Sequence, residues 1–127
     1  MLRQPHEKLP IWRRLMNTID RIYVLTASFP DSEKSAMIGG LRKAATALPP
    51  KLAEAYRGDD PDAFVKQVES VQSALREMDA QLAISARLRF TSGWKIARMR
   101  MRLRRLNAAF DHEIERVLQQ HTTLEAA

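Results

Sequence analysis

Residues 61–82 read PDAFVKQVESVQSALREMDAQL and carry the clearest helical pattern in the sequence. Its large apolar residues recur in alternating steps of four and three, which is the spacing of one face of an α-helix. They are Phe64, Val68, Val71, Leu75, Met78 and Leu82. Before them, Asp60 can accept a hydrogen bond from a free backbone N–H, and Pro61 suits the first helical position. The stretch therefore predicts one long helix that buries a single face.

Helices with similar apolar faces are predicted on both sides of this one. The first carries Ile11, Leu15, Ile19, Ile22, Thr26 and Phe29 on one face and ends at Pro30. The fourth carries Ile96, Met99, Leu103, Leu106, Phe110, Ile114 and Val117 within an arc of about 80°. No segment shows the alternation of a strand. The sequence therefore predicts an all-α fold, an antiparallel up-and-down four-helix bundle of long helices.

The second predicted helix follows a cap at Asp31 or Ser32 and contains two adjacent prolines. Proline removes a backbone donor and clashes with the preceding turn, so we expect this helix to be kinked or broken at Pro49-Pro50. After it, Gly58 suits a left-handed C-terminal cap. We expect a flexible arm at residues 1–10, one bundle domain at 11–121 and a C-terminal tail at 122–127.

Composition limits the classes of function. The chain has no cysteine, which excludes thiol, disulfide and cysteine–zinc chemistry. No apolar run approaches the roughly 20 residues needed to span a bilayer. We therefore expect a cytoplasmic protein with no membrane partner.

Positive charge is concentrated in one region of the chain. Eight basic residues and no acidic residue lie between Asp79 and Asp111, whereas the whole chain has a net charge of +6. The rest of the chain is therefore net acidic. A local basic region of this kind favours a polyanion as partner.

The fourth predicted helix holds the candidate binding residues. Lys95, Arg98, Arg102 and Arg105 lie along one flank of its apolar face, and Arg100 and Arg104 lie on the other side. No acidic residue three or four positions away neutralises them. Arginine donates paired hydrogen bonds that match a phosphate group. We therefore predict that these six residues bind nucleic acid, although a basic run is often only a solvated helix face.

Outward apolar residues accompany this basic region. Trp94 and Met101 are seven positions apart and project outward, and Trp12 belongs to a second apolar stripe on the first helix. These residues suit either stacking on an unpaired base or a contact between subunits. Exposed apolar patches more often mark protein interfaces, which favours the subunit contact.

No catalytic motif is present in the sequence. The paired Glu-x-x-His motifs of di-iron bundles, the His-Glu-x-x-His motif and a glycine-rich phosphate loop are all absent. We therefore predict a protein that is not an enzyme and needs no metal or cofactor.

Several segments resemble a known protein family. The segments Leu9-Pro10-Ile11-Trp12, Ile22-Tyr23, Phe29-Pro30, Leu41-Arg42-Lys43-Ala44-Ala45 and Ala53-Glu54 look like those of four-helix-bundle proteins encoded in intervening sequences of bacterial 23S rRNA genes. Leu75, Glu77, Met78, Gln81 and Leu82 resemble its Leu-x-Glu-Leu-x-x-Gln-Leu signature. The resemblance extends from about Leu9 to Phe90, and the basic fourth helix matches no motif of the family.

The resemblance implies a homopentamer of four-helix subunits. The family is similar to the accessory variability protein of diversity-generating retroelements, a basic pentamer that binds nucleic acid and partners a reverse transcriptase. We therefore expect an oligomer that binds nucleic acid, structured RNA rather than DNA. The alternative is an interaction adaptor whose basic helix docks a reverse transcriptase or another acidic protein.

Overall fold

The computed structural model describes residues 5–126, and these residues form helices joined by short turns. The α-helices are α1 (Pro10–Thr26), α2 (Gly39–Thr46), α3 (Leu48–Ala55), α4 (Pro61–Arg87) and α5 (Gly93–Ala126). Short 3-10 turns lie at Pro5–Lys8 and Asp31–Glu33, and a π-helical turn spans Lys34–Ile38. The part of the chain that the structure describes contains no strand, which confirms the prediction of an all-α fold.

The second predicted helix is two helices, α2 and α3, which meet at Ala47. The break lies two residues before the proline pair, so Pro49 and Pro50 occupy the first turn of α3. The first backbone N–H groups of a helix have no partner within that helix, so proline removes no hydrogen bond there. The prolines therefore lie at the start of a new helix. Because the second predicted helix is divided, the fourth predicted helix corresponds to α5.

The helices enclose one apolar core. Helix α4 contacts α3 and α5, and α1 contacts α5, α2 and α3. The largest fully buried side chains are Leu15, Ile22, Leu41, Leu48, Leu52, Leu75, Met78, Leu82, Ile96, Leu103, Leu106 and Phe110. The apolar faces predicted from the sequence are the faces that pack inward, except that Ile114 and Val117 are only partly buried.

A hydrogen-bonded contact between polar side chains joins α1 to α2. The hydroxyl of the fully buried Thr26 donates to the carbonyl oxygen of Ile22 at 2.7 Å and accepts from Nε of Arg42 at 2.9 Å. Arg42 also donates to the carbonyl oxygen of Tyr23, and its guanidinium carbon lies 4.5 Å from the centre of the Tyr23 ring. Because its hydroxyl is hydrogen-bonded to both Ile22 and Arg42, the polar Thr26 can continue the apolar face of α1.

The two turns that flank α4 differ from each other. At its start, the carboxylate of Asp60 accepts a hydrogen bond from the backbone N–H of Asp62, as predicted. The predicted left-handed cap at Gly58 is wrong, because no described glycine has a positive φ angle and the residue that caps the end of α3 is Tyr56, with φ −94°. The left-handed residue is Arg89, with φ 57°, in the turn after α4.

Arg89 occupies this conformation because the end of α4 forms a Schellman motif. The backbone N–H of Phe90 donates to the carbonyl oxygen of Ser85, and that of Arg89 donates to the carbonyl oxygen of Ala86. This pattern requires a left-handed residue just after the helix, a position that glycine fills with least strain. The turn closes with the Phe90 ring 5.6 Å from the ring of Phe29.

The predicted arm and tail are partly helical. Residues 1–4 of the arm and residue 127 of the tail lie outside the described residues. Within the arm, Pro5–Lys8 forms a 3-10 turn whose His6 side chain is buried, with its ring 4.7 Å from the ring of Trp12. Residues 122–126, predicted as a tail, continue α5 as far as Ala126.

The core assignment predicts the effect of truncating Phe110. We expect Phe110→Ala to lower the free energy of unfolding by about 3–5 kcal/mol, because it removes a fully buried ring and leaves a cavity. Urea denaturation followed by circular dichroism measures this change. Leu124→Ala, at a residue that is 76% exposed, is the control and should stay within about 0.5 kcal/mol of the wild type. Equal effects of the two substitutions would contradict the assigned core.

The left-handed Arg89 predicts a substitution that stabilises the protein. Arg89→Gly should raise the free energy of unfolding by about 1 kcal/mol, because glycine adopts a positive φ without the clash of a side-chain Cβ. Arg89→Ala should not, since it removes the same charge but keeps the Cβ. Thermal denaturation of both variants measures the difference, and equal melting temperatures would contradict the strain at this position.

Candidate nucleic-acid interface

A groove runs between α1 and α5, which lie side by side in opposite directions. In one part of the groove, Arg14 of α1 lies opposite Arg105 of α5, and this part has a volume of about 440 Å³. In the next part, Val24 of α1 lies beside Trp94 and Lys95 of α5, and the volume is about 240 Å³. Later residues of α1 therefore meet earlier residues of α5.

Basic side chains line both walls of this groove. Helix α5 contributes Lys95, Arg98, Arg102 and Arg105, and α1 contributes Arg14 and Arg21. We use the term basic groove for this groove together with these six residues. Within residues 5–126, no carboxylate forms an ion pair with any of the six. The flank predicted from the sequence of α5 is therefore one wall of a two-sided cationic surface.

Core packing explains why the cations gather at this groove. Arg14 and Arg21 directly precede Leu15 and Ile22, which are fully buried, so they lie at the edge of the buried face of α1. Seven residues are close to two helical turns, which places both arginines on the same side. The sequence contains this spacing, but it does not tell which helix lies against that side. For this reason Arg14 and Arg21 cannot be identified as site residues from the sequence alone.

Arg102 has the most crowded electrostatic environment in the basic groove. Partial burial, followed by the positive charges of Arg21, Arg98 and Arg105, lowers the pKa of its guanidinium. Arginine nevertheless stays protonated in proteins, so the mutual repulsion persists in the folded chain. An anion bound among these residues would relieve that repulsion and offset part of the cost of desolvating Arg102.

Arg100 and Arg104 face a carboxylate on another helix. Nε of Arg100 donates to Asp79 of α4 at 2.8 Å, and Arg104 lies 3.4 Å from the same carboxylate. No acidic residue three or four positions away neutralises these two residues, as expected, but a carboxylate on α4 does. Residue spacing along α5 gave no sign of a partner that comes from α4.

The contacts with Arg100 and Arg104 also change the pKa of Asp79. Burial of Asp79 disfavours its charged form, but the hydrogen bond and positive charge of Arg100, with a further contribution from Arg104, outweigh burial and lower its pKa. The carboxylate therefore stays ionised at neutral pH and holds both arginines on the side of α5 that faces α4. Arg100 and Arg104 lie outside the basic groove.

The structure places two of the predicted apolar contacts beside the basic groove. Trp94 is 60% exposed and Met101 is 47% exposed. Lys95 Nζ and the guanidinium carbon of Arg98 each lie 5.8 Å from the centre of the Trp94 ring. Trp94 therefore combines an accessible aromatic surface with two nearby cations.

Trp12 lies elsewhere. It packs on the edge of the core at the start of α1, next to the ring of His6, whereas Trp94 adjoins Val24 near the end of that helix. The structure therefore does not bring Trp12 together with Trp94 and Met101. Its half-buried ring is occupied by contacts within the chain.

Among the described residues, no group of three or more His, Cys, Asp or Glu side chains is arranged to hold a metal ion. The described helices also include none with the length and apolar character needed to cross a membrane.

Comparison with known proteins identifies the family of the chain. No curated protein sequence matches it. The family model described as 23S rRNA-intervening sequence protein matches residues 7–111, which include α1 to α4 and the first half of α5. This match spans most of the chain and agrees with the segments identified in the sequence. The chain therefore belongs to the 23S rRNA-intervening sequence protein family.

Proposed function

We propose that this protein is a non-enzymatic, homo-oligomeric protein that binds nucleic acid through the basic groove, with structured RNA rather than DNA as its target. The observation that carries the proposal is the gathering of six cations from two helices with no carboxylate partner among the described residues. Like charges held together cost stability, and a polyphosphate chain supplies the compensating charge.

The dimensions of the basic groove support contact with several phosphates. Lys95 and Arg105 are ten residues apart, which corresponds to about 15 Å along a helix that rises 1.5 Å per residue. Duplex nucleic acid carries about one negative charge per 1.7 Å of its axis. The groove can therefore contact several phosphates at once, and these contacts read the backbone rather than the base sequence.

The family description supports RNA as the first ligand to test. It refers to an intervening sequence of 23S rRNA, which associates the family with an RNA gene. Arginine makes up five of the six cations, and its planar guanidinium can donate two hydrogen bonds to one phosphate. The six residues bind phosphates, and Arg100 and Arg104 hold α4 and α5 together.

An interaction adaptor is the second candidate function. In that case the basic groove docks an acidic protein such as a reverse transcriptase. The exposed Val24 and Trp94 beside the cations favour it, because protein interfaces combine apolar area with charged residues at their rim.

Binding to RNA should depend steeply on salt. With about five phosphates neutralised, affinity for a structured RNA should fall roughly 10²–10³-fold between 50 and 200 mM salt, because binding releases condensed counterions. The triple variant Arg98→Glu, Arg102→Glu and Arg105→Glu should reduce the slope of log affinity against log salt by roughly three, one for each cation. Fluorescence anisotropy across a salt series measures both quantities for a structured RNA and for a duplex DNA.

The matched control changes net charge equally outside the basic groove. Lys66→Glu, Arg76→Glu and Arg87→Glu reverse three exposed cations of α4. The control variant should keep the wild-type salt slope. An equal loss of RNA affinity in the two triple variants would mean that binding depends only on net charge. Absence of binding to either nucleic acid at low salt would contradict the proposal and favour the adaptor.

Self-association should give the mass of a pentamer, five times the subunit mass of 14.6 kDa, in light scattering after size exclusion. The number five rests on the family resemblance. The exposed Ile84, on the outer side of α4, and the exposed Leu88, which directly follows α4, support a contact between subunits. Placing charges there, as Ile84→Glu and Leu88→Glu, should lower the mass because desolvating a carboxylate is costly.

Ser73→Glu is the control for this experiment, because Ser73 is an exposed polar residue on the outer side of the same helix. It should leave the mass unchanged. A monomeric wild-type protein would contradict self-association, and an unchanged mass in the double variant would place the contact on another surface.

A further inference from the structure

Trp94 is the second residue of α5, and most of its side chain remains in contact with solvent. An indole ring contributes to stability mainly when it is buried, and the fold leaves this one 60% exposed. The core is complete without it, because Ile96 and Met99 fill the buried positions at this end of α5. Trp94 therefore has no role in the core that explains its presence.

A small pocket lies beside this ring. Val24 and Leu25 of α1 and Met99 of α5 supply apolar parts of its wall, and its volume is about 240 Å³. Drug-sized ligands usually occupy roughly 300–1,000 Å³. The pocket therefore suits a group smaller than a drug-sized ligand, next to an exposed aromatic ring.

Cations surround the same pocket. Arg21, Lys95, Arg98 and Arg102 all line it, and Lys95 and Arg98 each approach the Trp94 ring to 5.8 Å. A ligand held here meets an apolar aromatic surface and positive charge side by side. A nucleotide has this combination, with a flat base for the ring and a phosphate for the cations.

We infer that Trp94 and the pocket beside it form a stacking site for one unpaired base of a nucleic acid whose phosphates lie in the basic groove. This inference rests on the proposed function and adds a preference to it. Paired bases are stacked within their duplex and cannot reach the ring, so the site selects strands with unpaired bases, such as hairpin loops. The preference is for single-stranded character rather than for one base, since every base has a flat face.

The test compares two single-stranded RNA oligonucleotides of equal length, one with all its bases and one with abasic sites in place of the central bases. Both carry the same phosphates, so the ratio of their affinities isolates the contribution of the bases. Wild-type protein should bind the complete strand roughly 5- to 150-fold more tightly, as expected for stacking of one base. Trp94→Ala should bring the ratio close to one, and Trp94→Phe should keep a large part of it.

Fluorescence adds a readout that a merely structural role would not change. The chain has two tryptophans, so Trp12→Phe leaves Trp94 as the only indole. Its emission should fall when the complete strand binds and should stay unchanged when the abasic strand binds. Unchanged melting temperature and mass of Trp94→Ala would show that fold and assembly are intact.

The outcomes separate this inference from the proposed function. Equal, salt-dependent binding of both strands would overturn the stacking site and leave phosphate binding in place. Failure of the wild type to bind either strand would overturn the stacking site, and failure to bind a structured RNA as well would overturn the proposed function. A lower mass for Trp94→Ala in light scattering would overturn the stacking site and make Trp94 a contact between subunits.

Discussion

The packing of α1 against α5 determines where the basic residues of both helices lie. Leu15 and Ile22 must face the core together with Leu103 and Leu106, and this fixes the rotation of both helices about their axes. Residues next to the buried positions then lie at the edges of the contact. On α1 and α5 these neighbours are the six cations of the basic groove, so burial of apolar area imposes the crowding of positive charge.

Electrostatics divides the basic residues of α5 into two groups. Asp79 neutralises Arg100 and Arg104 on the side that faces α4, where the ion pairs tie two helices together. On the side that faces α1, Arg102 lies among other arginines, and no carboxylate of the described chain pairs with it. Charge is thus balanced within the fold on one side and is available to a partner on the other, which is the asymmetry expected of a polyanion-binding surface.

Much of the fold was predictable because it depends on local periodicity. The three-and-four spacing of apolar residues gave the buried faces of α1, α4 and α5, and Asp60 with Pro61 gave the start of α4. The geometry of the turns was harder to predict from the sequence. A left-handed cap was predicted at Gly58. The left-handed residue is instead Arg89, because the hydrogen bonds at the end of α4 require this conformation despite the steric cost of the side chain.

The candidate site was only half predictable from the sequence. One wall could be found from the spacing along α5, whereas Arg14 and Arg21 join it only through the packing of α1. The ion pairs of Asp79 depend in the same way on a contact between helices. Residues that act across two helices are adjacent in space but not in sequence, and a periodic pattern within one helix does not specify its neighbour.

The most direct test of the central claim is a nuclear magnetic resonance titration that observes the Nε–H groups of arginine while RNA is added. We expect the resonances of five arginines to shift first and to return as salt is raised: Arg14, Arg21, Arg98, Arg102 and Arg105. The Nε–H of Arg100, which donates to Asp79, should stay in place. Shifts of the Arg100 and Arg104 resonances, with none from the arginines of the basic groove, would contradict RNA binding in that groove.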